Sequence, residues 1–77
     1  MRIDDQSPEH PYVQLAGLLR AEIKAGRMGP RLPSIMELAE QSDLSPATVK
    51  RALKVLADEG LINTVRGRGT FVVEQPA

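Results

Sequence analysis

Apolar positions recur at helical spacing in two long stretches and shift to a β pattern near the end of the chain. Tyr12, Leu15, Ala16, Leu19 and Ile23, with Leu18 alongside, predict one helix. Pro11 opens it, and it stops near Gly26. Val49, Ala52, Leu53 and Leu56 form a second apolar stripe inside Ser45–Gly60. Here the boundaries are written in. Ser45 supplies an N-cap oxygen, Pro46 takes the first helical position, and Gly60 suits the helix end. Between these helices, residues 26–34 hold two glycines and two prolines, and read as loop. Arg31-Leu32 is a candidate very short extended segment, because Pro33 pushes the residue before it toward β geometry. Ser34 with Glu37 is a capping-box pattern that opens a short helix to Gln41, with Leu38 and Ala39 buried. Gln41-Ser42-Asp43 is a polar turn without the glycine often found there, and Leu44 is placed to staple the next helix.

After Gly60 the β-formers Leu61, Ile62, Val65 and Phe71, Val72, Val73 flank Arg66-Gly67-Arg68-Gly69. This predicts a hairpin with two bases at its tip, Phe71 and Val73 sharing the face that folds back on the helices. The fold class is therefore mainly α with a small β-hairpin: three helices plus a two-stranded wing, a winged helix-turn-helix. Residues 1–10 are expected to form a flexible arm, residues 11–74 the domain, and residues 75–77 a frayed tail.

Composition narrows the function. The 77 residues hold no cysteine and one histidine, His10, which excludes disulfides, thiolate zinc sites and multi-histidine metal sites within one chain. No paired carboxylates or nucleophile–base pair suggests an enzyme, and no cofactor is expected. The polar, acidic first ten residues lack a signal-peptide core, and no stretch is long enough to span a bilayer, so a cytoplasmic protein is expected. Ten bases balance ten acids. Their distribution is uneven: residues 1–10 carry one base and three acids, whereas Ser45–Lys54 holds three bases and no acid. Arg66 and Arg68 are the other undiluted site. A short helix, a turn and a capped helix with bases in its N-terminal half suit the major groove of DNA, and arginines on a hairpin tip suit phosphate or the minor groove. With so few charges, binding should be weak and salt-sensitive unless two copies act together.

The chain also resembles the N-terminal DNA-binding domain of GntR-type bacterial transcriptional regulators. The resemblance runs from about Tyr12 to Val73. It rests on Leu32-Pro33-Ser34 leading to Leu38-Ala39, then Leu44-Ser45, Thr48-Val49-Lys50, Ala52-Leu53, Leu56, Glu59-Gly60-Leu61-Ile62 and Gly67-Arg68-Gly69-Thr70-Phe71-Val72. It implies a winged helix that regulates transcription, with the recognition helix in Ser45–Leu56 and the wing tip at Arg66–Gly69. Three positions depart from the family pattern. Ile35 and Met36 stand where an acid and an arginine are usual, and Pro46 stands where an arginine is usual. Lys50 keeps the charge, without the fork, where arginine is common. The family also carries a C-terminal domain that binds a small effector and makes the dimer; these residues correspond to the N-terminal domain, and no effector pocket is visible in them.

The expected function is sequence-specific binding of a double-stranded DNA operator by a transcriptional regulator, a repressor by expectation. The candidate DNA-binding residues are Ser34, Ser45, Ala47, Thr48, Lys50, Arg51, Lys54, Arg66, Gly67 and Arg68. Thr48, Lys50 and Arg51 lie in or beside the major groove in this reading. Ser45 and the first-turn amides hold a phosphate. A homodimer is possible, with the exposed part of the first helix, Met28, Ile35 and Met36 as candidate contacts. The alternative is a protein–protein interaction module, favoured by zero net charge and by Ile35, Met36 and Pro46 at would-be polar positions.

Overall fold

The computed structural model describes residues 2–73. Helix α1 spans Pro11–Lys24, α2 Ile35–Ser42 and α3 Pro46–Asp58; strands β1 (Ile62–Val65) and β2 (Gly69–Val72) form an antiparallel hairpin. This is the three-helix, two-stranded winged helix-turn-helix that the sequence predicts.

The helix boundaries follow from local chemistry. Pro11 and Pro46 both occupy first-turn positions, where a missing N–H costs no intrahelical bond. Ser34 makes the full capping box: its hydroxyl accepts from the Glu37 amide, and the Glu37 carboxylate accepts from the Ser34 amide. The turn between α2 and α3 works without glycine because Asp43 itself adopts the left-handed conformation, with φ of 57°. A short polar side chain tolerates that region better than most. Ser42, buried at the end of α2, satisfies its hydroxyl on the Leu38 carbonyl at 2.6 Å.

Leu15 and Leu19 of α1, Leu38 of α2 and Val49 and Leu56 of α3 are fully buried and form the centre of the core. Leu32, Leu61 and Ile62 seal it from the loop and the root of the wing. The wing's register is Ile62↔Val72, Asn63↔Phe71, Thr64↔Thr70 and Val65↔Gly69. Directly opposed residues share a face, so buried Ile62 brings Val72, not Phe71 and Val73, onto the core. The expected inward pair is thus off by one residue, and Val73 is exposed. Gly29 makes room for this arrangement: a Cβ there would stand 2.9 Å from Val72 Cγ2.

Arg31 bridges to Phe71 in antiparallel fashion, so the short extended segment is present and lies along the wing's outer edge. Leu32 donates to the Thr70 carbonyl at 2.9 Å, and Val72 donates to the Pro30 carbonyl at 2.7 Å. Residues 2–10, read from sequence as an arm, run back along α1. Gln14 accepts from the Asp4 amide and donates to the Asp4 and Glu9 carbonyls, while Ile3 packs against the core. The tail expected at 75–77 lies outside the described residues.

Candidate nucleic-acid interface

Helix α3 turns about 100° per residue. With Val49, Ala52, Leu53 and Leu56 buried, the opposite side presents Ala47, Lys50, Arg51 and Lys54, all exposed. Ser45 and Thr48 are less available. The Ser45 hydroxyl accepts from the Thr48 amide at 3.2 Å and lies 2.9 Å from Thr48 Oγ1, and the Thr48 side chain is half-buried. Both hydroxyls therefore fix the start of the helix before any ligand arrives.

Two neighbouring grooves open along the wing, and the smaller one also takes in α3. One, of about 750 Å³, is lined by Arg31, Ser34, Glu37, Thr64, Arg66 and Arg68 among others. The second, of about 270 Å³, runs between α3 and the hairpin and includes Lys50, Lys54, Thr64 and Thr70. Ile35, Thr64 and Thr70 line both. The candidates Ser34, Arg66, Gly67 and Arg68 thus line the first groove and Lys50 and Lys54 the second. Arg51 stands apart, on the side of α3 facing Tyr12. Ala47 is exposed on the same outer side of the helix.

The acids near this face are occupied. The Glu37 carboxylate is the reciprocal half of the capping box. Asp58 pairs with Lys54 at 3.2 Å, one turn apart on the exposed surface. Glu59, at the other end of α3, accepts from two guanidinium nitrogens of Arg20 in α1, with Arg20 Nε 2.8 Å from Oε1 and Nη2 on Oε2. The hydrogen bond from Arg20 holds the Glu59 carboxyl below its ordinary value, and the charges of Arg20 and Lys24 add to it. Arg31, Lys50, Arg66 and Arg68 have no carboxylate partner among the described residues.

Arg31 joins this face without standing out in the sequence. Its guanidinium lies against the wing at Gly69, where an added Cβ would meet Arg31 Nε at 3.0 Å. Gly69, at φ of 116°, thereby lets a third arginine join the two at the tip. The signal in the sequence was faint: one base in front of Leu32-Pro33, separated by almost forty residues from the strand it joins. Among the described residues no group of three His, Cys, Asp or Glu side chains could hold a metal ion, and no helix is long and apolar enough to cross a membrane.

Comparison with known proteins agrees with this architecture. The chain is 46% identical over 74 residues to the HTH-type transcriptional repressor NagR of Bacillus subtilis, covering 94% of this chain and 30% of that protein. It is 40% identical over 76 residues to the HTH-type transcriptional repressor YtrA of the same organism, covering 96% of this chain and 58% of the relative. The chain therefore spans less than two thirds of either relative's length. Among solved structures, the DNA-binding domain of AraR in complex with operator ORX1 superposes with a TM-score of 0.83 at 28% identity, over 95% of both chains. The model of the bacterial regulatory proteins of the gntR family matches residues 11–72, and the chain belongs to that family.

Proposed function

We propose that this chain is the operator-binding domain of a gntR-type transcriptional regulator, a repressor rather than an enzyme, acting in the cytoplasm. The observation that carries the reading is that Lys50 and Lys54 of α3 and Arg66 and Arg68 of the wing line two grooves that share Ile35, Thr64 and Thr70. The likeness to an AraR domain bound to operator DNA supports it, as do the repressors among the relatives.

In this reading α3 enters the major groove. Lys50 and Thr48 meet base edges, with Ala47 beside them against an apolar base edge such as a thymine methyl. Lys54 and Arg51 flank the groove over phosphates. The amides at the starts of α2 and α3, fixed by Ser34 and Ser45, face the backbone. Arg66 and Arg68 reach the backbone or the minor groove, and Gly67 keeps the tip slim enough to approach. Each phosphate neutralised contributes about 0.9 to the slope of log affinity against log salt. Two copies on a palindromic site would multiply the modest affinity of one.

Selection from a random duplex library at low salt, followed by salt titration of the winners, tests the reading. An enriched motif with a steep salt slope is expected, and a palindrome would give the half-site spacing of a dimer. Absence of enrichment would contradict it. The exposed Met36, 65% accessible beside half-buried Ile35, favours the second reading, a protein-docking module. That reading expects no duplex binding even at low salt.

A further inference from the structure

Arg51 is held by a ring. Its guanidinium carbon lies 4.2 Å from the centroid of Tyr12, the second residue of α1, and His10 stacks on the same tyrosine at 6.1 Å and 19°. Tyr12 is half-buried and packs against the core, so the ring is a fixed platform rather than a loose surface group. The contact differs in kind from the neighbouring one at Lys54, whose charge is offset by Asp58. An aromatic face attracts a cation through its quadrupole and leaves the N–H donors unspent. Arg51 has no ion pair among the described residues. It is therefore oriented without a carboxylate to offset it.

Its place on the helix gives this meaning. Lys50 and Lys54 line the groove toward the wing, whereas Arg51 projects toward the start of α1. The candidate interface therefore has an arginine rim on each side of α3: Arg66 and Arg68 on one, Arg51 on the other. We infer that Tyr12 is a positioning residue whose ring holds Arg51 as an un-neutralised phosphate clamp on the α1 side of the recognition helix, opposite the wing. This rests on the DNA-binding reading above. A guanidinium already confined by the ring loses less side-chain entropy on meeting a phosphate than a free one does.

A double-mutant cycle on binding to a mixed-sequence duplex tests it, with the thermal midpoint of every variant recorded so that only folded protein is compared. Arg51→Ala should lower affinity for all duplexes and reduce the salt slope by about 0.9. Tyr12→Leu should weaken binding about fivefold, and Tyr12→Phe, which keeps the aromatic face, by less than about twofold. In the Arg51→Ala background Tyr12→Leu should add nothing. Without DNA, the Arg51 Nε–H proton should be shifted upfield by the ring, and this shift should vanish in Tyr12→Leu. Equal losses from Tyr12→Leu in both backgrounds would overturn the positioning role. Unchanged affinity and slope in Arg51→Ala, in a chain that binds duplex, would overturn the clamp alone. Failure of the unsubstituted chain to bind any duplex would overturn the DNA reading and the clamp with it.

Discussion

The helical half and the wing hold their shapes by different means. The five largest fully buried side chains, Leu15, Leu19, Leu38, Val49 and Leu56, all lie in α1, α2 and α3. In the hairpin only Ile62, at its root, is buried; Asn63 to Arg68 are exposed. The root is tied to residues 30–32 by two backbone hydrogen bonds, but the tip is closed by Arg68 donating to the Val65 carbonyl at 3.0 Å. An element with few buried contacts opens locally at low cost, whereas one embedded in the core opens only with the whole domain. On the proposed reading, the helix assigned to the bases is fixed in place by packing, and the arginines assigned to the backbone sit on an element with few buried contacts.

The largest expected effect breaks the comparison in stability. Leu56→Ala removes a fully buried side chain and should cost roughly 2–5 kcal/mol, enough to unfold much of so small a domain. Val65→Ala, at a site 37% exposed on the wing, should stay within about 0.5 kcal/mol. Urea unfolding of both variants checks the pair. A Val65→Ala loss as large as that of Leu56→Ala would show that the wing belongs to the same cooperative core.

A smaller effect sharpens the view of α3. Ser45→Ala removes the oxygen that caps the Thr48 amide and should cost about 1 kcal/mol in the same assay. It should leave the wing's amide and methyl chemical shifts unchanged, because the cap touches only the start of α3.

The smallest effect lies at the far end of α3. Arg20 holds the Glu59 carboxyl below its ordinary value of 4.5 in the folded protein. A depressed carboxyl stabilises the fold above its unfolded value, and that contribution is lost as pH falls through the folded one. Arg20→Gln should therefore lower stability slightly near neutral pH and flatten its decline below about pH 4.5, as read from thermal midpoints across pH. An identical acid limb in both proteins would show that the pair contributes nothing measurable.

Much of this fold was legible because its signals are local. Ser45-Pro46 and Ser34 with Glu37 write helix starts within four residues, and the stripes from Tyr12 to Ile23 and from Val49 to Leu56 need only periodicity. What was not legible depends on partners distant in sequence. The inward turn of Val72 is set by its register with Ile62, and alternation alone left Phe71 and Val73 as the equally reasonable choice. The extended segment at Arg31 was visible, but its pairing with Phe71 was not. Asp43 filled the place of the absent glycine by adopting a conformation that sequence alone only permits. The same holds for the candidate site. Lys50, Lys54, Arg66 and Arg68 stand out as bases in undiluted runs. Arg31 at the wing and Tyr12 beneath Arg51 appear only once the chain is folded.

On the proposed function, α3 selects the sequence while the wing supplies attraction that is indifferent to it. Salt titrations of Lys50→Ala and Arg68→Ala on a selected motif and on a scrambled duplex test it directly. Arg68→Ala should weaken both duplexes alike, lower both salt slopes by about 0.9 and leave their affinity ratio intact. Lys50→Ala should reduce that ratio by about 1–3 kcal/mol of discrimination. An Arg68→Ala protein with unchanged affinity and slope, or a Lys50→Ala protein with an unchanged ratio, would rule out this division between helix and wing.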